Sequence, residues 1–153
     1  MMFEEKLKQM GITIPETVKP LAAYIPAMQV GNLVMTSGQV PISAGAVKYS
    51  GKVGKDLSEE EGKAAAKLCA LNCLSAIKSV IESLDKIKRV LKLTVFVNSA
   101  TGFTAQPKVA NGASEFLVEI FGEEGKHVRS AVGVSELPLN SAVEIEMIVE
   151  VTS

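Results

Sequence analysis

Residues 58–84 read SEEEGKAAAKLCALNCLSAIKSVIESL, and this stretch decides the architecture. Ser58 with Glu61 three residues on has the form of a capping box, in which two otherwise unpaired backbone N–H groups are satisfied. Glu59 and Glu60 suit the positive end of the helix dipole. Beyond them Ala66, Cys69, Ala70, Cys73, Ile77, Val80, Ile81 and Leu84 recur at steps of three and four. That stripe belongs to a long helix lying on a sheet, and its alanines keep it slim enough to pack close.

Outward from this helix the other elements fall into place. After a polar link, Asp85 to Arg89, the run Val90 to Val97 reads as a strand covered on both faces. Pro107 opens a second helix, with Val109, Ala113, Phe116, Leu117 and Ile120 on one side and Gly122 beyond its end. Val128 to Val134 and Ala142 to Val151 read as the last two strands. Upstream, Ala27–Val30 and Leu33–Gly38 flank a tight Gly31-Asn32 turn, and Ala46–Tyr49 is a third, short strand. Residues 1–11 form a peripheral N-terminal helix ending at Gly11, followed by an extended lead-in. The order is β-β-β-α-β-α-β-β in a single domain, 1–153. It is an α/β chain whose mixed sheet carries two long helices on one face. The uncovered face needs a partner, and three sheets closing into a barrel would supply one.

Composition agrees. Mean hydropathy is +0.26, high enough in one small domain to point to apolar surface covered by another subunit. The net charge of −1, with the two signs mixed along the chain, argues against a nucleic-acid partner, which calls for a basic patch or stripe; Lys86-Ile87-Lys88-Arg89 reads as a solvated turn. No apolar run reaches the ~20 residues of a membrane span. The N-terminal residues lack the pattern of a secretory signal, so the expected location is the cytosol. Cys69 and Cys73 read as small buried hydrophobes rather than metal ligands, since the one histidine, His127, lies far off in sequence.

Standard catalytic signatures are missing. Gly51-Lys52-Val53-Gly54 lacks the spacing of a phosphate loop. A triad built on His127 has no support in the sequence, and a solvated turn or a subunit contact suits that residue better. Two arrangements stand out. Arg129 opens an otherwise apolar strand, and its permanent charge requires either an ion pair to Glu144 or Glu146 or a substrate carboxylate gripped by two parallel hydrogen bonds. Val143-Glu144-Ile145-Glu146-Met147 alternates strictly, so both glutamates share one sheet face. On a solvated face they are inert; in a cleft, one could orient or deprotonate a water. Spacing alone leaves both choices open.

The segment Gly31-Asn32-Leu33-Val34-Met35-Thr36-Ser37-Gly38-Gln39-Val40-Pro41 resembles the G-N-x-x-x-x-S-G-Q-x-P motif of the Rid family, also called YjgF. Thr94–Val97 is similar to its central strand. Arg129-Ser130-Ala131-Val132, Leu137-Pro138 and Val143–Glu146 resemble its C-terminal signature. The resemblance implies a chorismate-mutase-like (bacillus-type) fold, a homotrimer with sites in the clefts between subunits, and neither metal nor cofactor. It also implies hydrolytic deamination of reactive 2-imino acids and their enamine tautomers to 2-oxo acids and ammonia. By the same resemblance Arg129 binds the substrate carboxylate and Glu144 holds the attacking water. Tyr24, Ser37, Gly38, Asn111 and Ala131 complete the pocket. There are two departures in the motifs: Ala131 stands where the family has a cysteine, and Ala22-Ala23 replaces a Gly-Pro. The N-terminal extension and the longer loops around Gly45 to Gly54 and Ser99 to Pro107 mark a divergent subgroup. The alternatives are a non-catalytic binder of small carboxylates and the endoribonuclease activity of the family's older name, endoribonuclease L-PSP.

Overall fold

The computed structural model describes residues 2–17, 20 and 22–152. Seven strands and three α-helices follow one another: α1 Phe3–Gln9, β1 Ala27–Val30, β2 Leu33–Thr36, β3 Ile42–Ser43, β4 Ala46–Val47, α2 Glu59–Ile81, β5 Ile87–Asn98, α3 Gln106–Phe121, β6 Val128–Val134 and β7 Val143–Val151. The main sheet has the order β1-β2-β7-β5-β6. All its neighbours are antiparallel except β5 and β6, which run parallel and are joined by α3. The expected third strand is instead part of a separate two-stranded hairpin, β3-β4. Two-residue strands carry too little periodicity to be read from a sequence.

Both long helices lie on one face of the sheet, as expected. The capping box at α2 is made: Ser58 Oγ accepts from Glu61 N at 3.1 Å, and Glu61 Oε1 accepts from Ser58 N at 3.1 Å. By length and composition α2 could cross a bilayer, which the sequence reading overlooked. Its apolar residues face protein instead, with Ala66, Cys69, Ala70, Cys73 and Ile77 fully buried. Cys69 Sγ and Cys73 Sγ donate to the carbonyls of Val143 and Ile145 on β7, at 3.4 and 3.3 Å. Burial raises both thiol pKa values, that of Cys73 to about 12, so these are inert core residues. The two helices touch at Gly112, where a Cβ would collide with the backbone oxygen of Lys63.

Strand β5 begins at Ile87, inside the segment read as a polar link, after a short 3-10 turn at Leu84–Lys86. Lys88 and Arg89 are exposed on it, with Glu150 and Glu124 as ion-pair partners at 3.8 and 3.7 Å. Leu93, Val95 and Val97 are buried under the helices, while Lys92, Thr94 and Phe96 point to the open face. The run therefore has one covered face, not two. On that open face Met28, Val30, Leu33, Met35, Val128 and Val132 are exposed large apolar side chains, Val128 by 68%. Helix α1 is peripheral yet anchored. Leu7 is buried, and the Glu4 carboxylate accepts from Lys78 Nζ, Ser83 Oγ and Leu84 N.

Candidate functional site

Arg129 lies on edge strand β6 in register with Leu93, a residue of the helix-covered face, so its side chain runs toward α3. There the guanidinium meets only neutral acceptors. Nη1 donates to Asn111 Oδ1 at 2.8 Å and to Ser114 Oγ at 3.0 Å, and Nη2 donates to the Pro107 carbonyl at 3.2 Å. Pro107, Asn111 and Ser114 share one face of α3 by helical spacing. Among the described residues no carboxylate lies within ion-pair distance of Arg129. The ion pair to Glu144 or Glu146 is thus absent from the chain. A guanidinium has five N–H groups. Three are used, leaving Nε–H and one N–H on Nη2 without a partner among the described residues, and Nε and Nη2 share one edge of the planar group. That edge, with an uncompensated positive charge, suits two oxygens of a carboxylate. Ala131, two residues on, faces the same side of β6 and packs partly against the core.

A second cluster lies elsewhere. Glu144, in register with Phe96, points to the open face, as does Glu146. The Glu144 carboxylate sits against Gly38, where a Cβ would collide with Oε1. Ser37 Oγ donates to the Ile25 carbonyl at 2.7 Å and Ser37 N to that of Pro26 at 2.8 Å. These bonds draw the Tyr24–Pro26 segment alongside Gly38. Tyr24, 58% exposed, lines a cavity of about 440 Å³ with Pro26, Gly38, Gln39, Val40 and Asn72. Burial raises the Glu144 pKa, and the neighbouring Glu146 charge raises it further. Glu144 is therefore a better proton acceptor than an ordinary carboxylate.

The structure sets Gly38 against Glu144, with Ser37 next to it in the chain and Tyr24 lining a cavity with Gly38, and it brings Asn111, Arg129 and Ala131 together. It does not bring the two groups together within one chain. Arg129 and Glu144 stand two strands and three residues apart, roughly 14 Å between backbones at ~4.8 Å per strand and ~3.3 Å per residue, with side chains on opposite faces.

Two further residues join the Arg129 cluster: Ser114, which the sequence reading passed over, and His127, read there as a solvated turn or a subunit contact. Ser114 Oγ lies 2.9 Å from His127 Nε2, and His127 Nδ1 lies 2.7 Å from the Gly125 carbonyl. His127 is half-buried and held on both ring nitrogens, not a solvated turn residue. The signal was the two-residue step from His127, just ahead of β6, to Arg129, since extended backbone alternates sides, and the three-residue step from Asn111 to Ser114. The glycine pair around Lys52 is no phosphate cradle. The amides of Gly51, Lys52, Val53 and Gly54 are all bonded within the chain, and Lys52 Nζ pins the loop to Asn98 and Ser135.

Residues 4–151 match the family described as "YjgF/chorismate mutase-like, putative endoribonuclease". The chain belongs to the YjgF (Rid) family. Its mixed α/β fold is that of the YjgF chorismate-mutase-like proteins. Protein TCP17 of Trypanosoma cruzi is 42% identical over 148 residues, covering 96% of this chain and 92% of that protein. The 2-iminobutanoate/2-iminopropanoate deaminase of Dermatophagoides farinae is 32% identical over 139 residues, covering 90% and 93%. A solved structure from Shewanella oneidensis MR-1, an endoribonuclease candidate, superposes with a TM-score of 0.94 at 35% identity, covering 99% and 100%. YjgF relatives thus carry more than one functional label on one fold.

Proposed function

We propose that this YjgF-family chain hydrolyses 2-imino acids and their enamine tautomers to 2-oxo acids and ammonia, in a cleft completed by two copies of the chain. The observation that carries this reading is the Arg129 guanidinium, held by Asn111, Ser114 and Pro107 with two donors left over and no acidic partner among the described residues. The free Nε and Nη2 edge grips the substrate carboxylate. Glu144 of the neighbouring copy, with Gly38 and Tyr24, closes the other side. Glu144 takes a proton from water as the water oxygen bonds to the imine carbon, and gives that proton to the imine nitrogen. The resulting carbinolamine collapses: Glu144 carries the hydroxyl proton to the amino nitrogen, the C–N bond breaks, and ammonia leaves as the 2-oxo group forms. Much of the acceleration is orientation.

The exposed apolar side chains of the open face support an assembly in which three sheets enclose a barrel. A deaminase name on a relative 32% identical adds weight, and the net charge of −1 weighs against RNA as substrate.

The test is to generate 2-iminobutanoate with a threonine dehydratase and time its loss with the wild-type protein, Arg129→Ala and Glu144→Gln. Wild type should speed the loss, and either variant should lower that rate by about a hundredfold or more. A wild-type protein as inert as Arg129→Ala would defeat the deaminase reading. Retained binding of 2-oxobutanoate by the inert protein would then leave a carboxylate binder.

A further inference from the structure

We infer that Ser114 and His127 are positioning residues that lock the Arg129 guanidinium in the orientation that receives a carboxylate, through a one-way chain of hydrogen bonds ending on the Gly125 carbonyl. This rests on the carboxylate-binding reading of Arg129 and extends it to two residues that touch no substrate.

The directions follow from chemistry. A carbonyl oxygen only accepts, so the 2.7 Å contact between His127 Nδ1 and Gly125 O places the ring proton on Nδ1. In the neutral ring Nε2 is then a lone pair, and the Ser114 hydroxyl, 2.9 Å away, donates to it. With its proton so committed, Ser114 Oγ turns a lone pair to Arg129 Nη1 at 3.0 Å. Both hydrogens of Nη1 are then held, the other by Asn111 at 2.8 Å. Fixing both stops rotation of the guanidinium plane about its own axis and leaves the Nε and Nη2 edge outward. Among the described residues no carboxylate pairs with His127 to favour its charged form. Burial lowers its pKa, and the Arg129 charge adds to that despite the Gly125 bond. The neutral ring the chain of bonds requires is the form present near neutral pH.

The geometry also explains the residue types. Alanine at 114 would leave Nη1 one acceptor short. Phenylalanine at 127 would fill the ring's place without a lone pair, freeing the Ser114 proton to compete at Oγ. Glutamine at 127 keeps an acceptor in reach.

The experiment uses the full chain and 2-oxobutanoate as the probe. Calorimetry gives Kd, steady-state turnover of 2-iminobutanoate gives KM and kcat, and ¹⁵N NMR reads the ring of the one histidine in the chain. Ser114→Ala and His127→Phe should weaken binding by about three- to tenfold, the worth of one hydrogen bond, with the loss in KM and little in kcat. His127→Gln should recover most of it. The wild-type ring should be protonated on Nδ1, and its Nε2 signal should move in Ser114→Ala, which removes a single oxygen and serves if His127→Phe fails to fold. Wild-type affinity in Ser114→Ala, or a ring protonated on Nε2, overturns the inference while the role of Arg129 stands. Wild-type affinity in Arg129→Ala removes the reading beneath it, and the two failures are told apart by that variant.

Discussion

Arg129 and Glu144 stand on opposite faces of one sheet, separated by strand β5. The covered face holds the guanidinium against α3, and the open face carries the carboxylate beside Gly38. A site that uses both must draw them from different copies of the chain. Arg129→Ala and Glu144→Gln, each inactive alone, should therefore complement when unfolded together, mixed and refolded. In the proposed trimer, random mixing would leave one intact cleft per mixed assembly and give about a quarter of wild-type turnover. Mixtures as dead as their components would place the whole site in one chain.

Glu144 should set the acid limb of kcat/KM. Burial, helped by Glu146, raises its pKa, and the ionised form is the base, so the rate climbs as pH rises through that raised value. Glu146→Gln removes the like charge and should move the limb to lower pH. The same shift makes ionised Glu144 a cost to folding, because the native state holds its proton longer than the unfolded chain does. Glu144→Gln should melt higher than wild type at neutral pH. An acid limb that ignores Glu146→Gln would count against Glu144 as the base.

Gly38 and Gly112 predict opposite balances of activity and stability. An alanine methyl at Gly38 meets the far end of the Glu144 side chain, which can swing away. Gly38→Ala should keep its melting temperature and lose turnover by about tenfold or more, the range for a misplaced base. At Gly112 the methyl meets the Lys63 backbone oxygen, where two helices cross and nothing can swing. Gly112→Ala should cost about 1–3 kcal/mol of stability, read by urea unfolding.

His127 should make the protein acid-sensitive. Its folded-state pKa is depressed by burial and by Arg129, so below about pH 6.5 the unfolded chain binds a proton that the native state refuses. Stability is full above that pH and is lost as pH falls through the depressed native value. His127→Gln should flatten the melting temperature between about pH 5 and 7. An unchanged slope would assign the acid loss to carboxylates.

The helices, their caps and the hairpin turn were legible locally. Ser58 and Glu61 announce the start of α2, Gly122, at φ 64, stands just past the last helical residue of α3, and the Gly31-Asn32 pair closes β1 onto β2. The alternation of Glu144 and Glu146 was legible too, since side-chain direction along a strand has period two. The β3-β4 hairpin and the start of β5 were not, because a two-residue strand or a bulged strand end has no period to detect.

The amino-acid sequence by itself determined the long helices and the longer strands, that one sheet face needs a partner, and that Arg129 is a charge in need of an anion. Those signals are carried by residue type and by spacings of two to four positions along the chain. Only the tertiary structure decided what surrounds that charge. Fifteen residues along the chain separate Arg129 from Glu144, yet the connection from β6 to β7 passes over β5 and leaves the two side chains on opposite faces. Strand order and face come from pairings between distant segments, where a shift of one residue turns every side chain over. For the same reason Ser114 and His127, unremarkable in the sequence, became neighbours of Arg129 only when α3 settled against β6.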